Sequence, residues 1–222
     1  MWNADTGACM QAFTGHSGSV TCGGFTPDGR TVVTASADGS LRVWDPRTGA
    51  CGASVQGHGF HEGPVNCLAF SPDGATTVTG DENGLVCVTS VAGGRPLQQM
   101  RAHTDAVVAT GVCPAMPSMC ASAGSDGKVV VWDMPSGTAR ASIDVGAPCS
   151  AMTFLPGAQG ALFAVATTAG ELVVYDSRNA TEIKRLLGHA EPIFDVKARA
   201  NADGSVTLLT GSDDKTVKLF KL

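Results

Sequence analysis

The stretch SADGSLRVWD, residues 36–45, reads as a tight turn followed by a short strand that ends in an aromatic and an acidic residue. Residues 125–133, SDGKVVVWD, repeat this pattern. Asp-Gly is typical of a hairpin turn, because glycine tolerates a positive φ and aspartate can hydrogen-bond its own backbone. Two copies of one turn-and-strand unit in a single chain indicate an internal repeat.

Three markers recur in one phase and define the repeat unit. An aromatic residue followed by a polar residue, or a substitute for that pair, returns roughly every 43 residues. Its copies begin at positions 2, 44, 89, 132, 175 and 220. A Gly-His or Ala-His pair begins at positions 15, 57, 102 and 188, and TGAC occurs at 6–9 and 48–51. The markers predict a single domain, 1–222, of units at approximately 15–56, 57–101, 102–144, 145–187 and 188–222, with residues 1–14 belonging to the last.

Each unit contains short strand-like runs separated by turn residues. In the first unit the runs span 19–25, 31–36, 40–44 and 50–56. A four-stranded sheet has two faces to bury, so each unit needs a neighbour on both sides, and a ring of units supplies them. The sequence therefore predicts an all-β fold of five four-stranded sheets.

The combination of Gly-His, Ser-x-Asp and Trp-Asp at these spacings resembles the WD40 β-propeller family, most strongly in units one and three. The resemblance implies five blades, with residues 8–14 forming the strand that completes the last blade and closes the ring. Rings of that family more often have seven or eight blades. The alternative is therefore that the chain forms part of a larger ring.

In WD40 blades a His, a Ser or Thr, a turn Asp and a Trp form a hydrogen-bonded network. The resemblance assigns ten residues to this network: His16, Ser36, Asp38 and Trp44 in unit one, His103, Asp126 and Trp132 in unit three, and His189, Ser212 and Asp214 in unit five. Gly124 stands in place of the hydroxyl in unit three, and Phe220 replaces the indole in unit five.

Units two and four depart from the pattern. Unit two carries Asn83 at the turn position and Thr89 at the aromatic position, and its histidine is either His58 or His61. Unit four retains only Tyr175. A buried polar network stabilises when it is fully satisfied and costs stability when it is half satisfied. We therefore expect unit one to be the most rigid and units two and four the most adaptable.

The composition argues against several classes of function. The formal net charge is −5, and no basic cluster with interleaved aromatics occurs, which weighs against direct nucleic-acid binding. No apolar run approaches the roughly 20 residues of a membrane helix. The eight cysteines form no CxxC, which favours free thiols and a cytoplasmic or nuclear protein. Residues 15–19 lack the final glycine of a nucleophile elbow, and His58, His61 and Glu62 have no second cluster to complete a metal site. We expect no enzyme activity, cofactor, metal or small-molecule substrate.

A protein partner is the remaining expectation. In a propeller, the loops before the first strand and between the second and third strands share one face. The candidate partner-binding residues on these loops are acidic: Glu62, Asp81, Glu82, Asp105, Glu191 and Asp213. Such a face favours a basic partner, although isolated surface acids are also ordinary solvated residues.

A closer resemblance sharpens this expectation. Residues 1–30, with GHGFHEGPVNCL at 57–68 and VCVTSVAGGR at 86–95, are similar to the angio-associated migratory cell protein family. That family also loses Trp-Asp at the position of residues 89–90, and it includes a yeast chaperone of a large-subunit ribosomal protein. The resemblance implies an acidic propeller face that holds the basic segment of a ribosomal protein client. This chain departs from the family by lacking its upstream blades and acidic N-terminal region.

Two other interpretations remain open. Trp44-Asp45-Pro46-Arg47 fits the WDxR pattern of propellers that serve as substrate receptors of cullin–RING ubiquitin ligases, and residues 175–178 are a looser copy. In that case Arg47 and Arg178 would contact the ligase adaptor. The third interpretation is a general WD40 scaffold in signalling, trafficking or cilia.

Overall fold

The computed structural model describes residues 1–157 and 160–222, and in these residues it contains nineteen strands in five antiparallel sheets. Sheet 1 comprises β1 (Val20–Phe25), β2 (Val32–Ser36), β3 (Leu41–Trp44) and β4 (Cys51–Val55). Sheet 2 comprises β5 (Val65–Phe70), β6 (Thr76–Asp81), β7 (Leu85–Ser90) and β8 (Arg95–Arg101). Sheet 3 comprises β9 (Val107–Val112), β10 (Met119–Gly124), β11 (Lys128–Asp133) and β12 (Thr138–Asp144). Sheet 4 comprises β13 (Cys149–Phe154), β14 (Leu162–Thr167), β15 (Glu171–Asp176) and β16 (Thr181–Leu187), and sheet 5 comprises β17 (Ile193–Ala200), β18 (Val206–Ser212) and β19 (Val217–Lys221).

Strands that are consecutive in sequence are neighbours in each sheet, so every sheet is a simple meander. The registers correspond from sheet to sheet. Val20 pairs with Ser36 at the start of sheet 1, as Val107 pairs with Gly124 in sheet 3. The predicted all-β architecture of repeated antiparallel sheets is confirmed, and this register lets equivalent positions be compared between sheets.

Consecutive sheets pack face to face through their apolar side chains. Val33 and Val43 of sheet 1 pack in one buried cluster with Leu85 of sheet 2, and sheets 2 and 3 share a cluster that contains Val86 and Trp132. Two further clusters join sheet 3 to sheet 4 and sheet 4 to sheet 5. The first strands of neighbouring sheets lie against each other in the order β1, β5, β9, β13, β17. This is the arrangement of adjacent blades in a propeller.

The two outermost faces of this stack are exposed. Val217 and Leu219 of sheet 5 are 68% and 70% exposed, whereas Leu41 and Val43, at the same register positions of sheet 1, are 0% and 9% exposed. At the other end, Val20 is 56% exposed. Val217 and Leu219 thus have the chemistry of a blade interface, but none of the described residues forms a neighbouring sheet over them.

The predicted closure by residues 8–14 is not found in the described residues. Sheet 5 has three strands, and the N-terminal segment makes only an isolated bridge between Trp2 and Cys9. Sheet 1 holds this segment instead, because the ring of Phe13 packs 5.6 Å from that of Trp44. The terminal amine also donates to the carbonyl of Gln11 over 2.6 Å. Local contacts of the segment with sheet 1 therefore replace the expected pairing with sheet 5.

The eight cysteines all lie in the described residues and form no disulfide there. Burial raises the pKa of the Cys67, Cys87 and Cys149 thiols to about 12. These thiols therefore pack as small apolar side chains. No helix in the described part of the chain has the length and apolar character needed to cross a membrane.

Candidate functional site

A hydrogen-bonded network joins the loop before β1 to the middle of sheet 1. Nδ1 of His16 lies 3.1 Å from Oδ2 of Asp38, and Nε2 lies 2.7 Å from the hydroxyl of Thr34. The indole of Trp44 donates to the same hydroxyl over 2.8 Å. With a proton on Nδ1 of the histidine, Thr34 donates to the imidazole and accepts from the indole. Every polar atom of the set is then satisfied.

Sheet 3 repeats this network. Nδ1 of His103 lies 3.1 Å from the Asp126 carboxylate, and Nε2 lies 2.7 Å from the hydroxyl of Ser122. Trp132 donates to that hydroxyl over 2.8 Å. The histidine thus fixes the loop before β9 against the turn that follows β10.

Sheet 5 contains a three-residue version. His189 lies 2.8 Å from Asp214 and 2.8 Å from the hydroxyl of Thr210. Phe220 occupies the indole position, and its ring meets the imidazole edge-on with centroids 6.5 Å apart. The Thr210 hydroxyl therefore lacks the indole donor that sheets 1 and 3 provide.

The hydroxyls that bond the histidines in sheets 1 and 5 belong to residues other than the predicted serines. Ser36 and Ser212 do not bond the histidines, because Thr34 and Thr210, two residues earlier, stand on the same face and closer to the imidazoles. The hydroxyl of Ser36 instead accepts from the backbone N–H of Asp38 over 3.0 Å, and Ser212 does the same for Asp214 over 3.2 Å. These serines stabilise the turns. In sheet 3, likewise, Ser122 supplies the hydroxyl that Gly124 could not.

Sheet 2 holds a network whose carboxylate has moved. His61, not His58, is the buried histidine, and it lies 2.8 Å from Asp81 and 2.7 Å from Thr79. Asp81 occupies the register position of Ser36, two residues before the turn position held by Asn83. Its exposure is 1%, so Asp81 cannot contact a partner as predicted. The role of Asp81 is therefore structural, as the hydrogen-bond partner of His61.

Sheet 4 replaces the network with apolar side chains. The positions of the histidine, the hydroxyl and the indole are held by Val145, Val165 and Tyr175, all buried in one cluster. Valines at the histidine and hydroxyl positions remove both members of that hydrogen bond together, so neither is left without the other. Sheet 4 is thus joined to its neighbours by packing where the other sheets use hydrogen bonds.

The network carboxylates are held in their charged form. Burial opposes ionisation of Asp38, but hydrogen bonds from Ser40, Ser17 and His16 lower the pKa of its carboxyl below the ordinary value. Burial also opposes ionisation of Asp81, but hydrogen bonds from His61 and from the backbone of Leu85 lower the pKa of its carboxyl. Several donors to one carboxylate outweigh its loss of hydration in each case.

In sheets 2, 3 and 5 the hydroxyl next to the histidine is buried, so these His–Asp sets lack an accessible nucleophile. The hydroxyls of Thr79, Ser122 and Thr210 belong to residues with 0% exposure, so no substrate reaches them. A nucleophile must be accessible to the reacting atom. No group of three His, Cys, Asp or Glu side chains suited to a metal ion occurs within 1–157 and 160–222.

The loops that carry the networks lie on one face of the stack. The backbone N–H of Glu82 donates to the Pro64 carbonyl over 3.0 Å, and that of Asp213 to the Pro192 carbonyl over 3.0 Å. Neighbouring sheets also touch here, since an ideal Cβ on Gly39, at a φ of +76°, would lie 3.2 Å from the His61 carbonyl. We call this surface the His–Asp face. It comprises the loop before the first strand and the turn between the second and third strands of each sheet.

Five of the six predicted partner-binding acids are exposed on the His–Asp face, and none forms an ion pair with another described residue. They form two groups separated by sheet 4, whose loops at 147–148 and 168–169 carry no acid. The groups are Glu62, Glu82 and Asp105 on sheets 2 and 3, and Glu191 and Asp213 on sheet 5. Basic residues near these loops include Lys128, Lys215, Arg101 at the end of β8, and Lys218, which lies 3.6 Å from Asp214.

The predicted adaptor-binding arginines lie at the opposite end of the sheets, in turns between the third and fourth strands. Arg178 donates to both carboxylate oxygens of Asp176, from Nε over 2.9 Å and 3.1 Å. Arg47 is exposed and lines a cavity of about 430 Å³ with Arg30 and Asp45. The two arginines therefore have different environments.

The sequence model of the family described as "WD domain, G-beta repeat" matches residues 7–45, 49–90, 94–133 and 180–221. The chain belongs to the WD40 repeat family. The unmatched residues 134–179 contain most of sheet 4, where the His–Asp network is absent. WD40 domains generally act as non-enzymatic platforms for protein partners, and no enzyme family is indicated.

Three relatives illustrate the range of this similarity. An uncharacterized WD repeat-containing protein of Schizosaccharomyces pombe is 30% identical over 97% of this chain and 55% of its own length. The small ribosomal subunit protein RACK1y of Oryza sativa subsp. japonica is 28% identical over 94% of the chain and 49% of its own length. Telomerase protein component 1 of Mus musculus is 29% identical over 96% of the chain and 8% of its own length. The chain thus spans about half the length of the fission yeast and rice relatives.

Proposed function

We propose that the His–Asp face binds a basic segment of a partner protein, and that the chain serves as a chaperone or assembly factor for a basic ribosomal protein in the cytoplasm or nucleus. The observation that carries the proposal is the set of exposed acids on this face without ion pairs among the described residues. Acids that fold stability does not use are available to a cationic ligand. Arginine and lysine of the client would form charge-assisted hydrogen bonds with them.

The two acidic groups suit an extended client segment. Glu62, Glu82 and Asp105 lie on loops that touch one another, because Gly84 approaches the His103 carbonyl with an ideal Cβ at 2.6 Å. Glu191 and Asp213 form the second group beyond the acid-free loops of sheet 4. A segment with two clusters of basic residues could bind both groups. Exposed charge pairs are screened by salt, so binding should weaken as ionic strength rises.

Two similarities support the ribosomal choice of client. The rice relative is named as a protein of the small ribosomal subunit. The motifs at 1–30, 57–68 and 86–95 resemble a family that includes a chaperone of a large-subunit ribosomal protein. The class of client rests on these likenesses, whereas the basic character of the client rests on the charges of the face.

Affinity purification with quantitative mass spectrometry tests the proposal. It compares the wild-type chain with a triple variant, Glu82→Lys, Glu191→Lys and Asp213→Lys, at matched expression. The matched control, Asp5→Lys, Glu182→Lys and Asp203→Lys, changes the charge equally outside the His–Asp face. One dominant basic ribosomal protein, lost in the first variant and retained in the control, is expected. A diffuse set of partners that neither variant changes would contradict the proposal.

The exposed position of Arg47 supports a second candidate function, that of a substrate receptor of a cullin–RING ligase. Its guanidinium projects beside a cavity, whereas Arg178 is held by Asp176. A ligase adaptor recovered with the wild-type chain and lost on Arg47→Ala would favour this function. Recovery of the adaptor should not depend on the acids of the His–Asp face.

A further inference from the structure

A cavity opens between sheets 1 and 2 on the side of the stack that is opposite the His–Asp face. The turns between the first and second strands of these sheets touch here, since an ideal Cβ on Gly74 would lie 3.1 Å from Pro27 and 3.4 Å from Thr26. The cavity beside this contact has a volume of about 320 Å³. That volume accommodates one large side chain.

The lining of this cavity combines a small apolar wall with two carboxylates. The wall is formed by Val43 and Ala53 of sheet 1 and by Ala75 and Val91 of sheet 2, and the carboxylates belong to Asp28 and Asp73. The two acids come from equivalent turns of neighbouring sheets, Pro-Asp-Gly at 27–29 and at 72–74.

Each carboxylate has one oxygen engaged in its own turn. Oδ1 of Asp28 accepts from the Thr26 hydroxyl over 2.6 Å, and Oδ1 of Asp73 accepts from the Ser71 hydroxyl over 2.6 Å. These bonds lower the pKa of both carboxyls, so both are charged at neutral pH. Oδ2 of Asp73 and Oδ2 of Asp28 have no hydrogen-bond partner in the described residues, although Nε of Arg30 lies 4.0 Å from that of Asp28. One oxygen of each acid is therefore available to a ligand.

Two buried hydroxyls without partners lie on the same face of sheet 2. Thr77 and Thr89 are cross-strand neighbours, each with 0% exposure, and neither hydroxyl has a hydrogen-bond partner in the described residues. Side chains two residues apart on a strand share a face. Thr77 therefore shares a face with Ala75, and Thr89 shares a face with Val91. Neither threonine is among the residues that line the cavity, so the two hydroxyls lie next inward from Ala75 and Val91.

The next junction shows why this cavity differs. Thr89 holds the register position of Trp132, whose indole packs between sheets 3 and 2. The corresponding cavity between sheets 2 and 3 includes Asp73, but Ala115 stands in sheet 3 where sheet 2 has Asp73. The first junction thus has two carboxylates and a threonine at the indole position, whereas the second has one carboxylate and the indole.

We propose that the cavity between sheets 1 and 2 binds an arginine side chain of a partner protein. The methylene groups of the arginine would pack on Ala53, Ala75 and Val91, and the guanidinium would donate to the free oxygens of Asp28 and Asp73. Guanidinium carries five N–H donors in a planar fork, so it can donate to two carboxylates together. This site is separate from the His–Asp face and does not depend on the proposed function.

Titration by nuclear magnetic resonance of the whole chain tests the site. The probe is N-acetyl-arginine amide, and its control is N-acetyl-citrulline amide, which has the same shape without the charge. Saturable shifts of the Gly74, Ala75 and Ala92 backbone amides with the arginine probe alone are expected. Asp28→Asn with Asp73→Asn should weaken binding by about tenfold or more, because charge-assisted bonds are lost. Equal shifts with citrulline, or unchanged binding in this variant, would overturn the proposal.

Two further variants separate the site from general charge and from folding. Glu191→Gln with Asp213→Asn removes the same charge from the opposite face and should leave the shifts at Gly74 and Ala75 intact. Ala75→Trp, at a residue that lines the cavity, should fill it and abolish the shift at Gly74 while both carboxylates remain. Unchanged amide spectra of sheets 3 to 5 would show that the variants fold. Retention of arginine binding by Ala75→Trp would exclude the cavity as the site.

Discussion

His61 and Asp81 form a buried pair, 2.8 Å apart, in which the aspartate stands two residues earlier in its sheet than Asp38 does in the pair with His16. Moving the acid from the turn into the end of β6 takes it out of solvent. The pairing of histidine with carboxylate is preserved, although the turn position now carries Asn83. The network therefore tolerates a change in which position supplies the charge.

The first prediction concerns the contribution of this displaced carboxylate. Asp81→Ala should lower the free energy of unfolding by about 3 kcal/mol, because it leaves a buried histidine and two backbone N–H donors without their acceptor. Urea unfolding followed by circular dichroism measures the change. Asn83→Ala is the matched control at the exposed turn position, and its effect should stay within about 0.5 kcal/mol. An effect of Asn83→Ala as large as that of Asp81→Ala would show that the turn position still carries the network.

A second prediction concerns the missing indole of sheet 5. Phe220→Trp should stabilise the protein by about 1 kcal/mol, since the Thr210 hydroxyl is already placed to accept an indole N–H. In sheets 1 and 3 the equivalent bonds are both 2.8 Å long. Thermal unfolding should show a Tm higher by about 2–4 °C.

The control for this substitution is Phe163→Trp, at a residue with 0% exposure in a closed cluster. Overpacking there should lower the Tm, since well-packed cores resist larger side chains. If both substitutions changed the Tm in the same direction, the gain at Phe220 could not be assigned to the hydrogen bond.

The repeat and the strands could be predicted from sequence because turn chemistry and marker spacing are local signals. The choice between Thr34 and Ser36 could not, since residues two apart on a strand share a face and only the packed loop decides which meets the histidine. Asp81 and Glu82 are adjacent acids whose side chains leave a strand end in opposite directions. The sequence pattern therefore assigned the buried Asp81 and the exposed Glu82 to the same partner-binding surface. The cavity between Asp28 and Asp73 depends on two sheets meeting, which no single segment encodes.

A third prediction concerns acid. Hydrogen bonds lower the pKa of Asp38 and Asp126 in the folded chain, against the effect of burial in both cases. A depressed folded pKa contributes stability that is complete above the unfolded pKa, about 4, and is lost as pH falls through the folded value. The free energy of unfolding should therefore be level near neutral pH and fall steeply below about pH 4. Urea unfolding at a series of pH values measures this slope.

The matched variant for the acid prediction is Asp38→Asn with Asp126→Asn. It should be less stable at neutral pH and show a shallower decline in acid, because two of the titrating groups are gone. A decline as steep as that of the wild type would assign the acid sensitivity to carboxylates outside these networks.

The last prediction concerns the exposed face of sheet 5. Val217 and Leu219 occupy positions that are buried in the other four sheets, yet both are largely exposed. Val217→Lys with Leu219→Lys should change the free energy of unfolding by less than about 1 kcal/mol, because surface substitutions have small effects. It should also reduce concentration-dependent association, since contiguous exposed apolar surface promotes contact between molecules. Light scattering across a concentration series measures the second effect. Leu41→Lys with Val43→Lys places the same charges at the same register of sheet 1, where neither side chain is exposed, and should abolish folding. A comparable loss of stability in both double variants would mean that sheet 5 is covered in solution.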